Sequence, residues 1–208
     1  MKGLLLKDWY MTKKYFRYYL LVAIGFLFLS LVSKGNLFFI FYPCFLCGMI
    51  PVNLLGYDER SRFTEYVGTF PYTKTQIVSA KYLIGLFAQI AMLTVTGIAQ
   101  GVKKSITHEF VLKEFLVLMM LLLIMAAITS SLTLPFIFKY GVEKGRMAYY
   151  VMTGFVCAGS IIFTKLLLGG NQVEIKLNAI LPLVCLVCVG IYLLSWYLSI
   201  VFYKKREI

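Results

Sequence analysis

Stretches of about twenty residues with little or no charge recur along this 208-residue chain, and they constrain it more than any other feature. Wound as a helix at about 1.5 Å per residue, such a stretch covers roughly the 30 Å of a bilayer's hydrocarbon core. A helix satisfies all of its backbone polar groups internally, as a structure in lipid must. Six runs are placed at 18–32, 37–56, 77–100, 115–138, 147–168 and 179–203. The first is short, so Tyr15 to Arg17 are expected to enter the interface with Arg17 snorkelling. The second carries Pro43 and Pro51, each able to kink it. In the fourth, Thr129, Ser130 and Ser131 precede Pro135, and their hydroxyls are suited to bonding carbonyls that the proline leaves free. With 61% hydrophobic residues and a mean hydropathy of +0.83, the chain lies outside the range of a soluble domain. The expected fold is an all-α polytopic membrane protein, one domain over 1–208 with six transmembrane helices.

The charges sort by side. Lys2, Lys7, Lys13, Lys14 and Arg17 precede the first run. Arg60, Arg62, Lys74 and Lys81 flank the gap after the second. Lys139, Lys144 and Arg146 follow the fourth, and Lys204, Lys205 and Arg206 close the chain. These fifteen share one side of a six-span layout, against six on the other, which places both termini and the 57–76 loop in the cytoplasm. The net charge of +12 is therefore read as membrane orientation; no long basic tract or aromatic platform points to nucleic acid. Within 2–17, Leu5, Trp9, Thr12 and Phe16 fall on one narrow helical face opposite most of the lysines, the pattern of a helix lying on membrane lipid. No small-residue cleavage site follows, so the first span is expected to remain.

The longest polar interruption is 57–76, YDERSRFTEYVGTFPYTKTQ. It reads as a short helix. Asp58 caps its start, Phe63, Tyr66, Val67 and Phe70 share a face, Gly68 ends it and Pro71 prevents continuation. Thr73 and Gln76 then match a capping box for the next helix. A short helix, apolar on one side and charged on the other and held between two spans, suits docking; an ordinary solvated loop on lipid headgroups has the same composition.

The acidic pair, the aromatic–proline step, Thr73-Lys74-Thr75-Gln76 and then Lys81-Tyr82-Leu83 resemble the loop between the second and third spans of small bacterial ABC-2-type transporter permeases. The opening Met1-Lys2-Gly3-Leu4-Leu5-Leu6-Lys7-Asp8 and the six-span layout extend the resemblance over nearly the whole chain. Within that family the chain looks most like exporters of small amphipathic peptides such as phenol-soluble modulins. The resemblance implies a permease domain in the bacterial plasma membrane, an N-terminal interfacial helix and a coupling helix in the 57–76 loop. It also implies partners: cytoplasmic ATP-binding cassette subunits and a second permease chain, identical or paralogous. ATP and magnesium would be held by the partner, with no cofactor on this chain. Asp58, Glu59, Arg60 and Arg62 would supply polar contacts to the ATPase, and Phe63, Tyr66 and Val67 would fill its groove.

The remaining chemistry is sparse. The runs hold no charge at depth, Lys81 and Arg17 standing near span ends, which argues against proton-coupled transport. There is no GxxxxGK[ST] phosphate loop, so the chain is not its own classical ATPase. Cys44 and Cys47, Cys185 and Cys188, and Cys157 all lie in apolar runs away from His108, the single histidine, and read as small apolar residues rather than metal ligands. The lone histidine in a loop, the absence of HExxH and the absence of glutamate from the runs leave no basis for a membrane protease. Asn53, Gln89 and Thr94 are candidate contacts for a translocation path, although helix–helix hydrogen bonding is the more ordinary use of each. A non-transporting scaffold or immunity-type protein, or a passive pore, fits the same absences.

Overall fold

A computed structural model describes residues 2–15, 17–33, 37–108, 111–147, 150–151, 154–155, 158–159 and 177–205. The described residues are almost entirely helical. In chain order the helices are α1 (Lys2–Tyr15), α2 (Arg17–Val32), α3 (Leu37–Arg60), α4 (Phe63–Tyr66), α5 (Lys74–Ile106), α6 (Leu112–Tyr140) and α7 (Leu177–Lys205), with a 3-10 turn at Val67–Thr69 after α4 and further helical residues from Val142.

Four of these, α3, α5, α6 and α7, are long and apolar enough to cross a membrane. The axes of α1 and α2 differ by 64°, and together they would make a fifth span. At 16 residues α2 alone reaches only about 24 Å, short of the hydrocarbon core. The expectation of six spans is thus met for four helices, or five with that bent pair, and most of the run at 147–168 lies outside the described residues.

Among the described helices the innermost is α3. It packs on α2, α5 and α6, and 72% of its apolar window is buried, against 22% for α7. Pro43 and Pro51 are buried within it without ending it. Close approach is built from small residues. A Cβ on Gly85 of α5 would lie 3.1 Å from the Pro51 ring, and one on Gly48 of α3 would lie 3.1 Å from Thr129 of α6. The outer faces of α5 and α7 present Phe87, Ile98, Leu183 and Leu186, all exposed, as lipid-facing helices require.

Buried hydroxyls and amides tie the helices together. Pro135 has no N–H, so the Ser131 carbonyl one turn earlier loses its helical partner. Ser195 of α7 donates to that carbonyl at 2.7 Å. The sequence reading assigned this task to the hydroxyls of the same helix. Thr129, Ser131 and Thr133 instead bond the carbonyls of Met125, Ile128 and Thr129. At the far end of the bundle, Lys103 of α5 donates to the Ser30 and Ser33 carbonyls, and Gln100 donates to the Ser30 hydroxyl, so α5 caps the C-terminus of α2.

Candidate functional site

The loop after α3 departs from the short amphipathic helix its spacing suggests. Asp58 does not cap a new helix, because α3 runs on to Arg60 and Asp58 lies in its last turn. The chain reverses at Arg62, whose φ of 52° is left-handed. Only one turn of α4 follows, then the 3-10 turn, then extended backbone at Phe70. Helical spacing therefore fails across 63–70, and the expected common face splits. Phe63 and Val67 turn inward onto the cluster containing Val52, Ile77 and Phe138. Tyr66 and Phe70 are exposed, beside exposed Arg60 and Arg62. The expected capping box is present: the Thr73 hydroxyl accepts from the Gln76 N–H and the Gln76 carboxamide oxygen accepts from the Thr73 N–H, each at 3.3 Å.

Beneath this loop lies a network of four charges, three of them buried and Lys7 half-buried. Lys81 Nζ, in the second turn of α5, is 2.8 Å from Asp8 Oδ1 and 2.6 Å from Asp58 Oδ2. Lys7 Nζ is 2.7 Å from Asp58 Oδ1 and 3.5 Å from Asp8 Oδ1. It also stands 3.5 Å from the centre of the Phe63 ring, a cation–π contact. The side chains of Asp8, Lys81 and Asp58 are 1%, 2% and 5% exposed, so these charges are removed from solvent and neutralise one another. A helix dipole disfavours an anion at the C-terminus, where Asp58 sits; the two lysines compensate. The network joins α1, the end of α3, the start of α5 and, through Phe63, the loop.

On the next residue, α5 is held from another side. Tyr82 is fully buried and its hydroxyl lies 2.8 Å from Ser195 Oγ and 2.7 Å from Ser199 Oγ. Its ring stacks on Trp196 at 5.4 Å, and Tyr192 donates to its carbonyl. Successive residues on a helix point about 100° apart. Lys81 thus faces α1 and α3 while Tyr82 faces α7.

The other singled-out residues are dispersed. Glu59 is half-buried in a small cavity with Phe63, Val67 and Ile137, where its carboxylate accepts from the Val142 N–H at 3.4 Å. On α1 the buried positions are Leu4 and Asp8, with Leu5 partly buried, while Trp9 is 61% exposed. The protein-facing positions are thus Leu4 and Asp8, Trp9 of the expected lipid face is turned away from the protein, and Phe16 lies outside the described residues. Gln89 is buried and donates to the Ala126 carbonyl and Ser130 hydroxyl of α6. It also lines an apolar cleft of about 450 Å³ with Leu93, Tyr192 and Trp196. Asn53 lines a different, polar cavity with Tyr19. Thr94 is exposed and bonds the Ala91 carbonyl of its own helix. Lys7, Asp8 and Lys81 are the residues that sequence reasoning missed. The available signal was Asp8, the sole acid of α1, one turn from Leu4 on the face that does not carry Trp9.

An all-helical bundle with lipid-facing spans and one polar loop locked to them by internal charges defines a polytopic membrane protein with a mechanically tied end-loop. Residues 3–204 match the ABC-2 family transporter protein family, and the chain belongs to it. It is thereby a membrane permease component of an ABC transporter, not itself an enzyme, of a kind that typically pairs with ATP-binding subunits. No curated protein and no solved structure matches the chain.

Proposed function

We propose that this permease works in an exporter and that its 57–76 loop, on the cytoplasmic side, receives the ATP-binding subunit. The observation that carries the reading is the division of labour in the loop. Arg60, Arg62, Tyr66 and Phe70 are presented outward. Asp58, Phe63 and Val67 are turned inward, onto the charge network and the core. A push on the outer set is transmitted through Phe63 and Lys7 to Asp58 and Lys81, and so to α3 and α5 together. Asp58 is in this reading an internal link rather than a docking contact, and Glu59 supports the loop from beneath. A second permease chain would complete the path, since Gln89 and Asn53 line separate cavities within one chain. The apolar cleft beside Gln89 supports an apolar or amphipathic cargo such as a peptide.

The test is co-purification in mild detergent with the ATP-binding subunit, recognised by its phosphate-loop motif. The double reversal Arg60→Glu/Arg62→Glu should abolish stoichiometric recovery, while Asp58→Asn should lower the permease's thermal stability and leave recovery in proportion to folded protein. Full recovery with both arginines reversed would sink the docking assignment. For the cargo, ATPase activity of the complex should rise with amphipathic peptides; stimulation only by lipids or drugs would count against peptide export.

A further inference from the structure

On the opposite flank of the end of α3 from Glu59 lies a polar cavity of about 230 Å³, ample for several waters or a small polar group. Its wall carries two guanidinium groups, Arg60 and Arg146, three phenols, Tyr19, Tyr57 and Tyr150, and the Asn53 amide. Among the described residues neither arginine is in an ion pair. Among the described residues Arg146 Nε is buried with no hydrogen-bond partner, a condition that few native groups tolerate. The neighbouring acids do not answer these charges. Asp58 is held by Lys81 and Lys7, and Glu59 lies in the separate cavity under Phe63. Gly56 leaves room for the arrangement: a Cβ there would stand 2.7 Å from Arg146 Nη2.

We propose that this cavity is a binding site for a phosphate group, and that the source is an anionic phospholipid headgroup. Guanidinium forks match phosphate oxygens in geometry and charge, and the hydroxyls and amide supply further donors. The placement fits a headgroup. Tyr19 is in the first turn of α2 and Arg60 is the last residue of α3, so the cavity lies at the boundary between apolar spans and the polar loop. The site does not depend on the ATPase-docking reading, because it is measured on the permease alone.

The experiment uses the purified full chain in phosphate-free detergent, with thermal stability followed on titration with dioctanoyl phosphatidylglycerol, dioctanoylglycerol and inorganic phosphate. Phosphatidylglycerol should stabilise saturably and dioctanoylglycerol should not. Arg146→Gln and Arg60→Gln should each weaken the effect by about tenfold, the scale of losing a hydrogen bond to a charged group. Gly56→Ala should weaken it too, by displacing the Arg146 guanidinium without removing charge. Lys139→Gln, whose cation lies instead over Tyr140 and Phe202, should leave it unchanged. If Arg146→Gln does not fold, Arg60→Gln and Gly56→Ala carry the test. Stabilisation by inorganic phosphate alone, with the same arginine dependence, would keep the phosphate site and assign it to a soluble anion. Equal stabilisation by dioctanoylglycerol, or a lipid effect indifferent to both arginines and to Gly56, would overturn the proposal.

Discussion

Replacing Lys81 by Met should reverse the sign of what Asp8 does. In the native chain Lys81 lies between two carboxylates, 2.8 Å from Asp8 and 2.6 Å from Asp58. Those oxygens are no further apart than the two contacts laid end to end, about 5.4 Å. At an effective dielectric near 20 their mutual repulsion is about 3 kcal/mol. Lys7 remains and offsets part of it, mostly at Asp58, from which it is 2.7 Å. Breaking a buried pair from one side costs about 3–5 kcal/mol, so Lys81→Met should destabilise by about 3 kcal/mol. On the scale of globular proteins this size, that lowers the melting temperature by roughly 6–12 °C. Asp8→Asn alone should destabilise, because it leaves Lys81 with one carboxylate partner. Added to Lys81→Met, Asp8→Asn should instead stabilise, because it removes a buried anion that has lost its closest cation. The assay is thermal unfolding of the four purified proteins in one detergent, read as a double-mutant cycle. If Asp8→Asn lowers the melting temperature equally in both backgrounds, Asp8 and Lys81 do not interact and the network is not a structural link.

Two further substitutions test the loop and the helix packing. Arg62 adopts φ 52°, a conformation that costs a side-chain-bearing residue about 1–2 kcal/mol and glycine almost nothing. Arg62→Gly should therefore leave thermal stability within about 1 kcal/mol of the native chain, on the stabilising side, while weakening recovery of the ATP-binding subunit; a large loss of stability would show that the turn is built otherwise. Gly85→Val would drive a branched side chain into the Pro51 ring, whose Cγ lies 3.1 Å from a Cβ at that position. It should cost about 1–3 kcal/mol by overpacking, measured as a lowered melting temperature, and an unchanged value would mean that α3 and α5 are not in close contact there.

Much of the helix placement was legible because apolar run length is written locally. The runs at 37–56, 77–100, 115–138 and 179–203 all sit inside helices that extend a few residues further at one or both ends. The Thr73–Gln76 box was legible for the same reason: its two hydrogen bonds close within one turn. The charge network was not legible, because its members come from three elements and no spacing rule relates Asp8 to Lys81 seventy-three positions away. Lys81 reads as a span-end lysine until α1 folds across it. On α1 Trp9 marked the outward face, while the inward face is marked by Asp8, which is buried against Lys81. In the loop, Phe63 and Val67 were expected, with Tyr66, to fill the groove of the ATP-binding subunit, but after the left-handed step at Arg62 they face inward onto the core.

The hydroxyl network shows why such cross-helix partners matter, and it permits a test that packing alone would not pass. Pro135 deprives the Ser131 carbonyl of its helical donor, and Ser195 supplies one from α7. Because Ser195 spends its hydrogen there, the Tyr82 hydroxyl donates to Ser195 and accepts from Ser199. A defect in α6 is thus the anchor for a chain of bonds that reaches α5 one residue from Lys81. Ser195→Ala removes the donor and leaves a buried carbonyl unsatisfied, at a cost of about 1–3 kcal/mol. Pro135→Ala restores a backbone N–H able to serve the same carbonyl. Ser195→Ala should therefore cost clearly less in the Pro135→Ala background than in the native one, by about 1 kcal/mol in a thermal double-mutant cycle. Tyr82→Phe should not show this dependence, since its hydroxyl never touches the Ser131 carbonyl. Equal costs of Ser195→Ala in both backgrounds would mean that the serine stabilises α7 through contacts of its own, and that the proline is not what the hydroxyl network is built upon.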